Sequence, residues 1–351
     1  GWVTAAPPTL SAASVVLMDG QSGRVLYAKD EHSKRPMASL TKIMTAALAL
    51  EYGQLDELAT ASTKAVNMEP SSIYLKEGEQ IPLIDLVYGA ILRSGNDAAM
   101  VIAEHIGGSQ ENFARLMNER ALSIGCRSTS FQNPHGLDQK NHYSTAYDMA
   151  LIARYAMSVP GFAEIAATKK KTIAGQRIVT NKNETLTKVV GGDGVKIGFT
   201  DNAGRCLAAS ASRDGNRLIA VVLNDGNWFN DCAALLNWGF EQVRFMPVVR
   251  EGEMIKTVAV TGGKESSLPL AAWEDYYLPL KEGEDGEIYT SWSVPQSVPA
   301  PIKEGQQIGE MVVYLKDQPM GTVPLVAMRS VETKPLSWWA KLWLWLGGKR
   351  S

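Results

Sequence analysis

The chain has 351 residues, 45% of them hydrophobic, and a formal net charge of −2. That length and apolar content imply about two domains with real cores, and the near-neutral balance excludes a nucleic-acid binder that depends on a basic face. The three cysteines, Cys126, Cys206 and Cys232, form no C-x-x-C pair and no Cys/His ligand set. Buried thiols are therefore expected, rather than a disulfide framework or a metal site. No nucleotide fingerprint stands in context, so no cofactor is implied.

The first residues, Gly1 to Pro8, carry no basic-then-apolar leader and read as the start of a processed mature protein. Ser14–Met18 and Arg24–Ala28 flank the turn Asp19-Gly20-Gln21-Ser22-Gly23, which predicts a β-hairpin. Ser39 to Tyr52 is rich in Ala, Leu, Met and Ile and is closed by Gly53, the pattern of a buried helix with a glycine stop. Helical patterns follow over 83–106, 109–125 and 145–157. Strand character returns at Gly194–Thr200 and in a hairpin, Cys206–Ser212 with Arg217–Leu223, before a helix over Asp231–Phe245. Strands at both ends of a helical middle predict an α+β domain over 1–245, an antiparallel sheet covered by helices, with a helical subdomain. Short alternating runs such as Ile255–Val260 and Met311–Leu315 predict a small all-β domain over 246–330. The segment 331–351 holds Trp338, Trp339, Trp343 and Trp345 among Lys341, Lys349 and Arg350. Its apolar run is far shorter than the ~20 residues that span a bilayer, and its composition predicts an amphipathic helix lying in a membrane surface.

Chemistry concentrates in three places. Ser39-Leu40-Thr41-Lys42 opens the first core helix, and residues three apart share a helix face. A lysine amine held partly neutral there takes the proton of a serine hydroxyl and turns it into a nucleophile. Ser94-Gly95-Asn96 and Lys196-Ile197-Gly198 follow in order. This set of elements is shared by class A β-lactamases and penicillin-binding proteins.

The chain resembles the serine D-alanyl-D-alanine carboxypeptidases, the low-molecular-mass penicillin-binding proteins. The resemblance extends through Arg35–Ala46, Asn133-Pro134-His135-Gly136-Leu137, His142–Asp148, Asp193–Lys196 and Phe199-Thr200-Asp201. It implies a β-lactamase/transpeptidase-like fold and peptidoglycan stem peptides ending in D-Ala-D-Ala as substrates. It also implies acylation by β-lactams and export to the outer face of the cytoplasmic membrane.

On that resemblance Ser39 would be the nucleophile, Lys42 its base, and Ser94 the relay to the leaving amine. Asn96 would bind the substrate amide. Lys196, Gly198, Phe199 and Thr200 would bind substrate, with an oxyanion hole at the backbone N–H groups of Ser39 and about residue 199. His135, His142 and Asp148 read as structural. The family's third motif has Thr where this chain has Ile197. Loss of a hydrogen bond to a charged group, about 1.5–3 kcal/mol, predicts weaker hold on the terminal carboxylate unless Thr200, Arg205 or Arg244 compensates. Two other readings compete: a β-lactamase, disfavoured by the lack of a Glu-x-x-x-Asn segment between Ser94 and Lys196, and a peptidoglycan-binding protein silenced by Ile197.

Overall fold

The strands predicted at the two ends of the first domain meet in one sheet. In chain order that domain contains β1 (Ser14–Asp19), β2 (Val25–Lys29), a 3₁₀ turn (Ala38–Leu40), α1 (Thr41–Tyr52), β3 (Leu58–Thr60), α2 (Thr63–Val66) and β4 (Gln80–Pro82). Next come α3 (Leu83–Leu92), α4 (Asn96–Gly107), α5 (Gln110–Ser123), α6 (Ala146–Ser158), α7 (Phe162–Ala167), β5 (Lys170–Ile173) and β6 (Arg177–Thr180). It closes with α8 (Thr185–Lys188), β7 (Gly192–Thr200), β8 (Gly204–Arg213), β9 (Asn216–Leu223) and α9 (Trp228–Gln242). The computed structural model describes residues 1–348 and divides into two units, Gly1–Arg244 and a second from Phe245 onward.

The sheet of the first unit has the order β2-β1-β9-β8-β7, with antiparallel pairing throughout. Its two faces are buried against different partners, and the period-two alternation of strand side chains assigns them. Val16 and Met18 join the helical core with Met44, Phe113 and Met149. Leu17, between them, faces α9, where an added Cβ at Gly239 would stand 2.6 Å from its Cδ2. The glycine thus lets helix and sheet approach closely. Helix starts are capped as their sequences dictate: Ser109 Oγ accepts from Asn112 N at 3.1 Å and Thr145 Oγ1 from Asp148 N at 3.0 Å.

Three expectations are corrected. The helix predicted over 83–106 is two helices, because Ser94 takes a left-handed backbone (φ 59°) and Gly95 is the extended N-cap of α4. Ser39 lies in the 3₁₀ turn, and α1 itself begins at Thr41. The last helix ends at Gln242, and Arg244 already belongs to a strand. The short antiparallel pairs β3–β4 and β5–β6 carry too few residues to show a period and were not foreseen.

The second unit contains β10 (Arg244–Val249), β11 (Met254–Thr261), β12 (Ser267–Ala272), β13 (Tyr276–Leu280), β14 (Ile288–Ser293) and β15 (Ser297–Pro299). It ends with β16 (Gln307–Leu315), β17 (Gln318–Ala327) and α10 (Trp338–Trp345). A six-stranded sheet in the order β14-β16-β17-β12-β11-β15 and a β10–β13 pair enclose a core that includes Leu268, Leu278, Val313 and Leu325. In α10 no residue is buried, and Trp345 is 80% exposed. No helix among the described residues is long and apolar enough to cross a membrane. Lys349 and Arg350, counted in the expected basic flank of this helix, lie outside the described residues.

All three cysteines are buried, and none forms a disulfide. Burial pushes the Cys206 thiol up to about 11 and raises those of Cys126 and Cys232 as well.

Candidate active site

Ser39 sits at the centre of the 3₁₀ turn that leads into α1, one helical turn before Lys42. The turn is held from two sides. Ala38 adopts φ 51°, a conformation costly for a residue with a Cβ. Gly136, at φ 97°, packs so closely that an added Cβ would stand 1.9 Å from Ala38 O. From the sheet side Gly198 does the same: its Cβ would stand 2.7 Å from Ser39 N. Both glycines are therefore required by backbone contact with the Ser39 turn.

Lys42 is completely buried, and its Nζ lies among four oxygens. These are Asn96 Oδ1 at 2.7 Å, Ser39 Oγ at 2.8 Å, His135 O at 2.9 Å and Ser94 Oγ at 3.2 Å. Burial first, and then the nearby Lys196, hold its pKa well below the usual lysine range, while Asp97 opposes them. A neutral amine has two N–H donors and one lone pair. The His135 carbonyl can only accept. The Asn96 amide is oriented by Nδ2, which donates to Glu69 O at 2.8 Å, leaving Oδ1 as an acceptor toward Lys42. These two acceptors take both amine hydrogens, and the lone pair is left to the hydroxyls of Ser39 and Ser94.

Lys196 is 2% exposed and donates to Ile197 O at 2.8 Å. Burial, with Lys182 nearby, lowers its pKa to about 7. Asp97, at the first turn of α4, accepts from Ile73 N and Leu75 N, both at 3.1 Å, and so fixes the loop before the Ser94 corner.

The structure brings Ser39, Lys42, Ser94 and Asn96 together, with Gly198 against the turn. Asn96 is 4% exposed, and its side chain bonds Lys42 Nζ and Glu69 O. Thr200 Oγ1 accepts from Ala203 N at 2.9 Å and donates to Asp138 Oδ1 at 3.3 Å, which engages it in the β7–β8 turn. Phe199 is exposed, on the same side of β7 as Ile197. Arg205 lies beside them, stacked over Trp228, whereas Arg244 stacks on Trp2 and donates to Gly1 O, away from the motif residues.

Neither histidine contacts Ser39. His142 Nδ1 accepts from Gln132 N at 2.9 Å, so its Nε2–H is directed at Thr41 Oγ1. Burial lowers its pKa to about 4, and lowers that of His135, whose Nδ1 accepts from Leu137 N, to about 3. Asp148 accepts from Ser128 N and Thr129 Oγ1. His135, read from sequence as structural, meets Lys42 through its backbone carbonyl, a contact that leaves no side-chain signature. Among the described residues no group of His, Cys, Asp and Glu is arranged to hold a metal ion.

With this geometry in view, the similarity to known proteins is decisive. The family model described as D-alanyl-D-alanine carboxypeptidase matches residues 2–227.

The chain belongs to the D-alanyl-D-alanine carboxypeptidase family.

Residues 245–333 match the C-terminal domain of penicillin-binding protein 5. D-alanyl-D-alanine carboxypeptidase DacF of Bacillus subtilis is 32% identical over 92% of this chain and 86% of its own length. DacC of Escherichia coli is 35% identical over 94% of this chain and 86% of its own length. Penicillin binding protein 5 of Haemophilus influenzae superposes with a TM-score of 0.72 at 32% identity, covering 94% of this chain and 100% of that one. The enzyme is thus a serine-type hydrolase of the carboxypeptidase class, and its similarity to named carboxypeptidases does not favour the silenced-protein reading.

Proposed function

We propose that the enzyme removes the terminal D-Ala from peptidoglycan stem pentapeptides through an acyl-enzyme on Ser39. The carrying observation is the buried Lys42 amine, whose Nζ lies 2.8 Å from Ser39 Oγ and is held by Asn96 Oδ1 at 2.7 Å and His135 O at 2.9 Å. Ser39 Oγ attacks the carbonyl carbon of the penultimate D-Ala, and its proton passes to Lys42. The carbonyl oxygen becomes an oxyanion, stabilised by backbone N–H groups of Ser39 and of the strand at about residue 199. The C–N bond then breaks, and the proton reaches the leaving amine through Ser94 Oγ, 3.2 Å from Lys42 Nζ. Water hydrolyses the Ser39 ester and releases the shortened peptide. Lys196, cationic below about pH 7, attracts the terminal carboxylate. A β-lactam presents a strained amide to the same attack and acylates Ser39.

In this reading the protein acts outside the cytoplasmic membrane, held to its outer face by the tail. The support is α10, where Trp338, Trp339, Trp343 and Trp345 are all exposed beside Lys341. Equal liposome binding by the full chain and by a chain ending at Lys334 would refute that part.

The decisive test is an intact-mass time course with benzylpenicillin, run beside Ser39→Ala and beside D-Ala release from a pentapeptide. A whole-drug adduct on the parent alone, with D-Ala release, supports the reading. Rapid drug hydrolysis with little adduct would favour a β-lactamase. No adduct and no release would refute it.

A further inference from the structure

One face of α5 carries a stripe at helical spacing. Gln110, Ala114, Asn118 and Leu122 each stand four residues from the next and so share one side of the helix. Leu122 is 61% exposed. This stripe and the residues Phe131, Gln132 and Gln139 line a groove of about 550 Å³. The two walls are tied together. Asn118 Nδ2 donates to Phe131 O at 2.9 Å, and its Oδ1 accepts from Phe131 N at 2.8 Å. Gln110 Nε2 donates to Gln132 O at 3.4 Å.

The loop that forms the second wall also holds the Lys42 amine. His135, whose carbonyl accepts from Lys42 at 2.9 Å, follows Gln132 by three residues, at most about 11 Å of extended chain. Asn133 binds the loop to itself: Oδ1 accepts from Gly136 N at 2.8 Å, and Nδ2 donates to Gln139 Oε1 at 3.1 Å. The groove and the base beside Ser39 are therefore built on one ordered segment.

The lining selects a class of ligand. Arg115 is bonded to Glu119 and to Asn112 Oδ1, which leaves Glu111 as the remaining charge and gives an anion nothing to pair with. The amides of Gln110, Gln132 and Gln139 can both donate and accept, and Ala114 and Leu122 set an apolar strip beside them. A neutral amino sugar matches that set: hydroxyls and an acetamido group around a ring whose face is apolar. The volume lies within the roughly 300–1,000 Å³ of small-molecule sites. Distance agrees as well. A stem pentapeptide places four residues between its sugar and the bond that Ser39 would cut, about 13–14 Å when extended.

We infer that the α5 groove binds the N-acetylated glycan to which the stem peptide is attached, so that the enzyme acts faster on peptides that still carry their sugars than on free peptides. The inference rests on the carboxypeptidase reading above and deepens it, from the end of the peptide to the polymer that bears it.

The test compares D-Ala release from a free pentapeptide with release from the same pentapeptide on N-acetylglucosaminyl-N-acetylmuramic acid. The sugars are expected to raise kcat/KM about tenfold, through KM, as one or two net hydrogen bonds would. In the double variant Gln110→Ala/Leu122→Ser this advantage should fall to about twofold or less, while release from the free pentapeptide stays at the parental rate. If the double variant does not fold by thermal melting, Leu122→Ser alone reads the same ratio. Sugars that give no advantage, or an advantage that the folded variants keep, would overturn the inference and leave the carboxypeptidase reading intact. So would variants that change release only from a sugar-free, cross-linked peptide dimer, since the groove would then take peptide. Calorimetry with N-acetylchitotetraose reads the groove without catalysis: the parent should bind it and the double variant should not, and equal binding by both would also overturn the inference. Failure to release D-Ala from any substrate would overturn the reading beneath it.

Discussion

The Lys42 amine and the Asn96 amide are joined by a 2.7 Å hydrogen bond buried at the junction of α1 and α4. Because Asn96 is neutral, its acceptor favours the charged amine far less than an anion would. Asn96→Asp replaces that acceptor with an anion and would hold Lys42 protonated. Penicillin acylation at pH 7 is expected to fall about 10²–10³-fold, on the scale of general-base catalysis. A pH profile checks the cause: the acid limb should move to higher pH, with activity partly recovered in alkali. A profile lowered at every pH but unmoved would show that Asn96 only orients the base.

Gly136→Ala tests the lock on the nucleophile turn. The new Cβ would meet Ala38 O at 1.9 Å, at a φ of 97° that a side chain disfavours. Backbone has to move, and a cost of about 3 kcal/mol or more is expected. Thermal unfolding should shift down, and the acylation rate of the remaining folded protein should drop by more than the stability change accounts for. Unchanged melting would mean that the 133–137 loop moves away from α1 without penalty.

Lys196 loses its proton at about pH 7, so the attraction for a carboxylate weakens as pH rises through that value. The alkaline limb of kcat/KM is assigned to it and the acid limb to Lys42. Lys196→Arg keeps its charge across this range. The variant should lose overall activity through altered fit yet hold its remaining kcat/KM flat above pH 8. An alkaline limb that stays at its parental position would assign it to another group.

Asp225 predicts a stability change remote from the motif residues. Its carboxyl is fully buried, Oδ2 finds no donor, and burial first and then Asp231 push its pKa from 3.8 up to about 7. The unfolded chain sheds this proton near pH 4 while the folded one keeps it. The contribution to stability is therefore complete below the unfolded pKa and is lost as pH climbs to about 7. Asn at 225 donates permanently to Asp231. Urea melts should show Asp225→Asn equal to the parent near pH 4 and more stable by about 1–3 kcal/mol near pH 8. A stability difference that stays constant between those pH values would refute the assignment.

What the sequence revealed follows a physical division. Long, strongly patterned segments were legible: β1 in Ser14–Met18, α1 in its Ala- and Leu-rich run, and the α6 start at Thr145. Side chains with a motif spacing, Ser39 with Lys42, were legible because a three-residue separation brings them together even though Ser39 sits in the 3₁₀ turn before α1. Ser94 was placed in the site by resemblance, but its left-handed backbone, which breaks the helix, was not visible in an apolar periodicity that runs across it. His135 was read as structural because its ring is; its carbonyl, the part that touches Lys42, is common to every residue. The pocket shared by Lys169, Ile197 and Trp228 joins segments that are far apart in sequence, and only folding puts them side by side.

The burial of Cys126, Cys206 and Cys232 gives the folded chain a practical property. Thiol reagents find no accessible sulfur until it unfolds, so the rate of modification measures opening directly. One cysteine placed on the surface, at Lys140 for instance, becomes a unique attachment point. A fluorophore there would report events at the neighbouring loop without any native residue having to be removed first.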